Sequence, residues 1–536
     1  MLKPALPSAS TTRPPVSRFW KNPPSWTIFV LAFAAVWLAH WPLLRLPYYW
    51  DEAGYYIPAA FDFFRTGSLI PYSTLSNAHP PLPSIYLAGF WKLFGFSPFV
   101  TRSAMCAVAA LALAGVCRIA LTVSARRSIA LATVALTAIY PVFFAQSSLA
   151  HADMFAAAAT LWALAFYLEE RIGLAVLCFS LAALSKETAI VTPLALAGWQ
   201  AWFALRCRAS KAARRTALLI IPALPLAFWY AYHRHRTGFI FGNPEYLHYN
   251  ATATLSPLRI VVAFLHRAFQ LTLHMDLFVP VLLAVAAWLL LDRVPAKSVP
   301  LRPVLSREHR DLLFIVIFAN AIFFSALGGA LLTRYLLPLY PLIVLLCVLA
   351  FYARLRRWTW LVAFSAVAFL AALFINPPYR FAPEDNLAYR DMVRLQQDAI
   401  AQIVARYPGK TVLTAWPASD ELTKPELGYV SRSMRVAAIE NFSLAQIWLA
   451  AHSQQPYSVG FIFSTKYDPP RWTLSLGRIN QRLDARYFGF HRDLDPALIA
   501  RLLGGRIVWS EQRGGQWAAV LHFDRSTAMD ARLRQP

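Results

Sequence analysis

About eleven apolar runs of membrane-spanning length, set apart by short polar gaps, constrain this chain more than any other feature in it. They fall near residues 26–46, 99–121, 128–145, 154–168, 172–185, 188–205, 216–232, 274–291, 311–328, 335–353 and 358–375. A hydrocarbon core of about 30 Å takes ~20 apolar residues of helix, and within it every backbone polar group must be bonded inside the protein. The chain is therefore read as a polytopic α-helical membrane protein. Its 536 residues are 58% hydrophobic, with a mean hydropathy of +0.45, far too apolar for a soluble protein of ordinary surface.

The formal net charge of +24 raises the question of nucleic acid. Its lysines and arginines form no amphipathic face or nucleic-acid motif, so that class is set aside. They gather in short gaps between the apolar runs, at Arg126 and Arg127, at Arg206 to Arg215, at Arg293 to Arg310 and at Arg354 to Arg357. That is the distribution the positive-inside rule gives to cytoplasmic loops. The five cysteines, Cys106, Cys117, Cys178, Cys207 and Cys347, carry no disulfide framework and no CxxC metal site. The first run lacks a small-residue cleavage site and is read as a retained helix.

With a cytoplasmic tail at 1–25, this alternation puts the loop 47–98, residues 146–153, Lys186, the loop 233–273 and everything after 376 on the outer face. The polar residues of the membrane region 26–375 then converge on one side: Asp51, Glu52, His79, His151, Asp153, Lys186, Glu187, Arg334 and Tyr335 all stand at outer ends of helices. Ionisable groups at such depths are costly and mark function or pairing. From 376 to 536 the pattern changes to an extracytoplasmic α/β domain. Helical periods cover 386–407 and 443–452, short β-type runs cover 411–414, 435–439 and 458–463, and a hairpin turns at Arg513, Gly514 and Gly515. No GxGxxG or P-loop lies there, and the domain is assigned no chemistry.

Five motifs occur in order on the outer face: WDEAGYY, NAHPPLPSIYLAGFWKLFG, SLAHADMF, LSKETAIVTP and LTRYLLPLYPLIVLL. Over residues 26 to about 375 they resemble the polyprenyl-phosphate-dependent GT-C glycosyltransferases. The likeness is to the bacterial branch with the lipid A aminoarabinose transferases and Rgt-type galacturonosyltransferases, related to the protein O-mannosyltransferases. The resemblance implies a GT-C membrane fold in the bacterial cytoplasmic membrane and an inverting transfer of one sugar from a polyprenyl-phosphate donor to a lipid, glycan or protein acceptor. A donor whose anomeric carbon already bears phosphate needs one base for the acceptor hydroxyl and cations for the departing phosphate.

By this resemblance the catalytic carboxylates are Asp51, the base, with Glu52 orienting the acceptor or holding a metal, and Asp153, for which helix N-capping is the alternative reading. Lys186 and Arg334 are the expected phosphate-binding cations, with Arg102 a third; a structural pairing of Lys186 with Glu187 is the alternative. Tyr55, His79, His151, Tyr335, Tyr246 and His248 are the expected substrate-binding side chains. His79 stands where aminoarabinose transferases carry Lys, which leaves open a phosphate contact, metal ligation or simple packing on Pro80 and Pro81. Tyr246, His248 and Tyr249 fit a sugar-stacking lid or an interfacial aromatic belt equally. A divalent cation, Mg or Mn, is left undecided. The readings held against transfer are a lipid-linked sugar flippase and a binding module on a membrane anchor; the chain shows no internal symmetry of the kind transporters carry, and eleven spans exceed what an anchor needs.

Overall fold

The computed structural model describes residues 25–242, 254–290, 305–453, 456–467, 477–488 and 493–523, together with Pro244 and His248. Four helices are long and apolar enough to cross a membrane by length and composition, Pro98–Ser124, Glu187–Cys207, Ser210–Thr237 and Arg307–Ala326. Seven shorter apolar helices accompany them, eleven in all among the described residues. Each answers to one of the apolar runs, so the molecule is a multi-pass membrane protein.

Local chemistry sets several helix ends. Ser97 caps Pro98–Ser124, its side chain accepting from Val100 N, and Gly67 ends Ile57–Thr66 with φ 73°. The run at 128–145 is two helices, Arg127–Ile139 and Pro141–Gln146, because Pro141 drives Tyr140 out of the helical region. The loop 233–273 holds an unexpected helix, Pro257–Thr272. Its Arg259 and Arg267 are buried while Leu258, Val261 and Leu265 are exposed, an inverted pattern to which a hydrophobic period is blind.

Beyond the last apolar helix, Thr359–Phe374, five strands form one sheet: β1 (Val412–Ala415), β2 (Val436–Ile439), β3 (Val459–Phe463), β4 (Arg506–Arg513) and β5 (Gln516–His522). The order is β2-β1-β3-β5-β4. β1 lies parallel to β2 and β3, and β5 runs antiparallel to β3 and β4. The β4–β5 turn places Gly514 at φ 53° and Gly515 at φ 82°, the left-handed pair a two-residue hairpin requires. The core beneath this sheet is not confined to the C-terminal segment. Leu43, Leu46, Tyr49, Ala145 and Leu149 from the membrane region are buried in it, so the sheet is built onto the loops that carry the acidic motifs.

Candidate active site

The WDEAGYY motif folds as a π-helical turn, Glu52–Tyr56, a widened geometry that recurs at functional sites. Gly54 has a specific reason to be glycine. A Cβ there would run into the Trp416 indole, which the C-terminal segment lays across the turn. The adjacent acids part company, as neighbouring positions on a helical turn do. Asp51 keeps 19% of its side chain exposed; Glu52 is fully enclosed.

Arg334, on the 3-10 turn Thr333–Leu336, is the hub. One guanidinium nitrogen bonds the Asp51 carboxylate, another contacts both Glu384 oxygens at 2.6 and 2.5 Å, and Nε lies 3.3 Å from Asp153 Oδ2 without hydrogen-bond alignment. Lys186 Nζ donates to Asp153 Oδ1 at 2.5 Å and sits 4.0 Å over the Tyr335 ring. Asp153 stands in the first turn of Ala152–Leu168, where the helix dipole favours a carboxylate. The N-cap of that helix is His151, so the capping reading of Asp153 is corrected. The partner of Lys186 is likewise Asp153 and not Glu187, whose carboxylate pairs with His79 Nδ1 at 2.8 Å.

Two more expected side chains border this cluster through Tyr56, whose ring stacks 5.9 Å from His79 and lies 5.7 Å from His151. His151 Nδ1 donates to Gln146 Oε1 at 2.8 Å, which leaves its buried Nε2 without a hydrogen-bond partner. Tyr55 is turned to Trp416, 5.6 Å away. His248 is exposed, and Tyr246 lies outside the described residues.

Two assignments change. Arg102 does not face the cluster: it is fully buried and donates to Leu46 O and Ser148 O at 3.0 Å and to Pro47 O at 2.5 Å, with Glu52 at 3.2 Å. Glu52 in turn accepts from Tyr49 N at 2.8 Å and Ala150 N at 2.6 Å. A phosphate reaches Arg102, or an acceptor Glu52, only if this junction comes apart. The pair ties the loop after the first apolar helix to residues 148–150, so its work is to hold Asp51 and Asp153 in register.

Sequence reasoning missed the third and fourth acids. Glu384 and Asp385 occupy the turn Pro383–Asp385; Asp385 accepts from Thr333 Oγ1, beside Arg334, and pairs with His274 Nε2 at 3.0 Å. Their signal was an acidic pair just past the last apolar run, on the same face as Asp51. Burial pushes the Glu384 carboxyl up to about 8; Arg334 pulls against it, while Asp51, Asp385 and Asp153 push with it. Among the described residues no group of three or more His, Cys, Asp or Glu is placed to hold a metal ion. Asp153, Lys186, Arg334 and Tyr335 line one small cleft.

A fold with acids and bases gathered at one end of its helices, and a small sheet seated on the loops there, has a structural counterpart. ArnT from Cupriavidus metallidurans, in a structure bound to undecaprenyl phosphate, superposes with a TM-score of 0.53 at 16% identity, over 92% of this chain and 97% of that one. The chain has the GT-C fold. The apo structure of the same ArnT matches this GT-C chain with a TM-score of 0.50 at 15% identity, over 92% and 98% of the two chains. Residues 78–229 of the GT-C chain match the family described as dolichyl-phosphate-mannose-protein mannosyltransferase. Among curated proteins none matches it.

Proposed function

We propose that this chain is a membrane glycosyltransferase that moves a single hexose or pentose from a polyprenyl-phosphate-linked donor to a hydroxyl of a lipid, glycan or protein acceptor. The transfer takes place on the outer face of the bacterial cytoplasmic membrane, with inversion. The observation that carries the reading is one guanidinium, Arg334, that touches the reachable carboxylate Asp51 and, with Lys186, faces an open cleft. The GT-C fold and the mannosyltransferase family match support it, as does the undecaprenyl phosphate in the similar ArnT structure.

The site works by exchange of partners. The donor phosphate takes over the guanidinium and ammonium of Arg334 and Lys186, whose geometry and charge suit phosphate oxygens, and so frees Asp51. Asp51 accepts the proton of the acceptor hydroxyl as its oxygen attacks the anomeric carbon. The bond from that carbon to the phosphate oxygen breaks on the opposite side, and the electron pair leaves with the phosphate, held by the two cations. Asp153 keeps Lys186 aimed. Glu384 keeps Arg334 from swinging away from the cleft.

Asp51→Asn tests the base. The variant folds and inserts as the wild type does, and its transfer rate from a polyprenyl-phosphate sugar falls by a factor on the order of 10²–10⁴. Wild-type turnover in this variant would overturn the assignment.

A further inference from the structure

The turn that carries Arg334 and the turn that carries Glu384 are laced together twice. Arg334 bonds Glu384, and their neighbours bond each other, Thr333 Oγ1 donating to Asp385 Oδ1. The second oxygen of Asp385 belongs to His274, whose Nε2 lies 3.0 Å from Oδ2. His274, Thr333 and Asp385 are all buried. The exchange of partners proposed above uses neither His274 nor Asp385, so a buried histidine and carboxylate stand beside the site without a task.

Their partners settle the state of the imidazole. A carboxylate only accepts, so Nε2 carries a proton and donates to Asp385. On the other side of the ring the Tyr379 hydroxyl accepts from Met275 N at 2.9 Å and gives its own proton to His274 Nδ1 at 3.2 Å. The His274 carbonyl accepts from the Tyr140 hydroxyl at 3.3 Å. The backbone is bent to allow this. Met275 and Asp276 stand in the left-handed region at φ 49° and 61°, which residues with a side chain adopt at a cost, and which persists where surrounding contacts over-determine it.

The purpose of so firm a hold follows from charge. Arg334 already meets Asp51, Asp153 and Glu384. Asp385 is a fourth acid in the same knot, adjacent to Glu384, and a buried carboxylate that loses one donor needs another cation. The cation in that knot is Arg334. A further carboxylate on its guanidinium would make it harder for a phosphate to take the guanidinium over.

We infer that His274, backed by Tyr379, is a positioning residue that keeps the Asp385 carboxylate on Thr333 and away from Arg334, and so leaves Arg334 free to exchange its acids for a phosphate. His274 itself touches no substrate. The role rests on the proposed transferase reading and goes beyond it by naming what keeps the phosphate-binding cation available.

The test is equilibrium binding of bare polyprenyl phosphate to the full-length protein in detergent, below the melting temperature of every variant. His274→Leu removes the donor at similar size, His274→Gln restores an N–H, and His274→Leu/Asp385→Asn also removes the charge that the donor restrains. The leucine variant is expected to bind about tenfold more weakly, as loss of one hydrogen bond to a charged group gives. The glutamine variant should recover most of that affinity, and the double variant should return to within about threefold of wild type. If the leucine variant does not fold, Tyr379→Phe, which deletes one hydroxyl, carries the same comparison alone and with Asp385→Asn. A leucine variant that melts earlier yet binds the lipid as wild type does would overturn the proposal and make His274 a brace of the fold. A double variant that binds no tighter than the leucine variant would overturn it too. Wild-type protein that binds no polyprenyl phosphate would instead overturn the transferase reading, and with it the role given to His274.

Discussion

Asp51 and Glu52 show how much one residue step decides. Both are acids, yet one stays part-exposed against Arg334 and the other disappears into a junction with Arg102. Sequence places the pair but cannot say which member points outward, because that depends on the π-helical turn and on residues 148–150. The same scale governs Arg334. Three carboxylates meet its one guanidinium, so Arg334→Lys, with a single ammonium, cannot serve all of them. We expect the lysine variant to bind polyprenyl phosphate more weakly and to lose transfer by on the order of 10²-fold, read in a steady-state assay alongside a thermal-melt control. Glu384 gives a pH signature. Its folded pKa, about 8, lies above the ordinary 4.5, so the folded state binds its proton more tightly than the unfolded chain does. That contribution is complete below pH ~4.5 and is lost as pH rises through about 8, on the order of a few kcal/mol across the window. Thermal unfolding in detergent from pH 5 to 9 should show stability falling in wild type, and a flatter profile in Glu384→Gln; identical profiles would contradict the assignment.

At the scale of elements, the segment that carries Arg334 is held from outside by the helix Pro257–Thr272. Arg267 donates to Phe324 O at 3.3 Å and to Leu332 O at 2.8 Å, Gln270 to Leu331 O at 2.7 Å, and Arg259 to Gly328 O at 2.5 Å. These bonds close the carbonyls of a stretch that has no regular structure between Ala326 and Thr333. Arg267→Met keeps the volume and removes the donors, so amide exchange over 325–333 should quicken by on the order of tenfold. Unchanged exchange there would mean the clamp is idle. This helix was the element least legible in the sequence, since its buried face carries arginines and its exposed face carries leucine and valine. The eleven apolar helices were legible because hydrocarbon imposes length and composition on each of them separately. The five strands were legible for a similar reason, each bounded by turn residues and carrying at least one β-branched residue. The partners of Lys186 and Glu187 were not, because a neighbour in sequence is a weaker constraint than a helix 33 residues away.

Across the whole molecule, the C-terminal segment is part of the site and not a cap above it. It supplies Glu384 to Arg334 and Trp416 to the back of the Asp51 turn, and its core is shared with Tyr49 and Leu149. Reading the border at 376 from composition hid this, because charges returning to a sequence mark where the bilayer ends and say nothing about where a core ends. A coupling experiment probes the contact. Gly54→Ala drives a methyl into the indole and should destabilise the protein by about 1–3 kcal/mol. Trp416→Ala makes room, so the double variant should fall well short of the sum of the two single losses; simple additivity would show that the two surfaces do not press on each other. The proposed transfer as a whole depends on a lipid phosphate held by Lys186 and Arg334. Native mass spectrometry of the detergent-purified protein, wild type beside Lys186→Ala, addresses that directly. The prediction is a co-purified polyprenyl phosphate, or its sugar adduct, on the wild type and markedly less on the variant. Folded wild-type protein that holds no such lipid, even after incubation with it, would contradict the account.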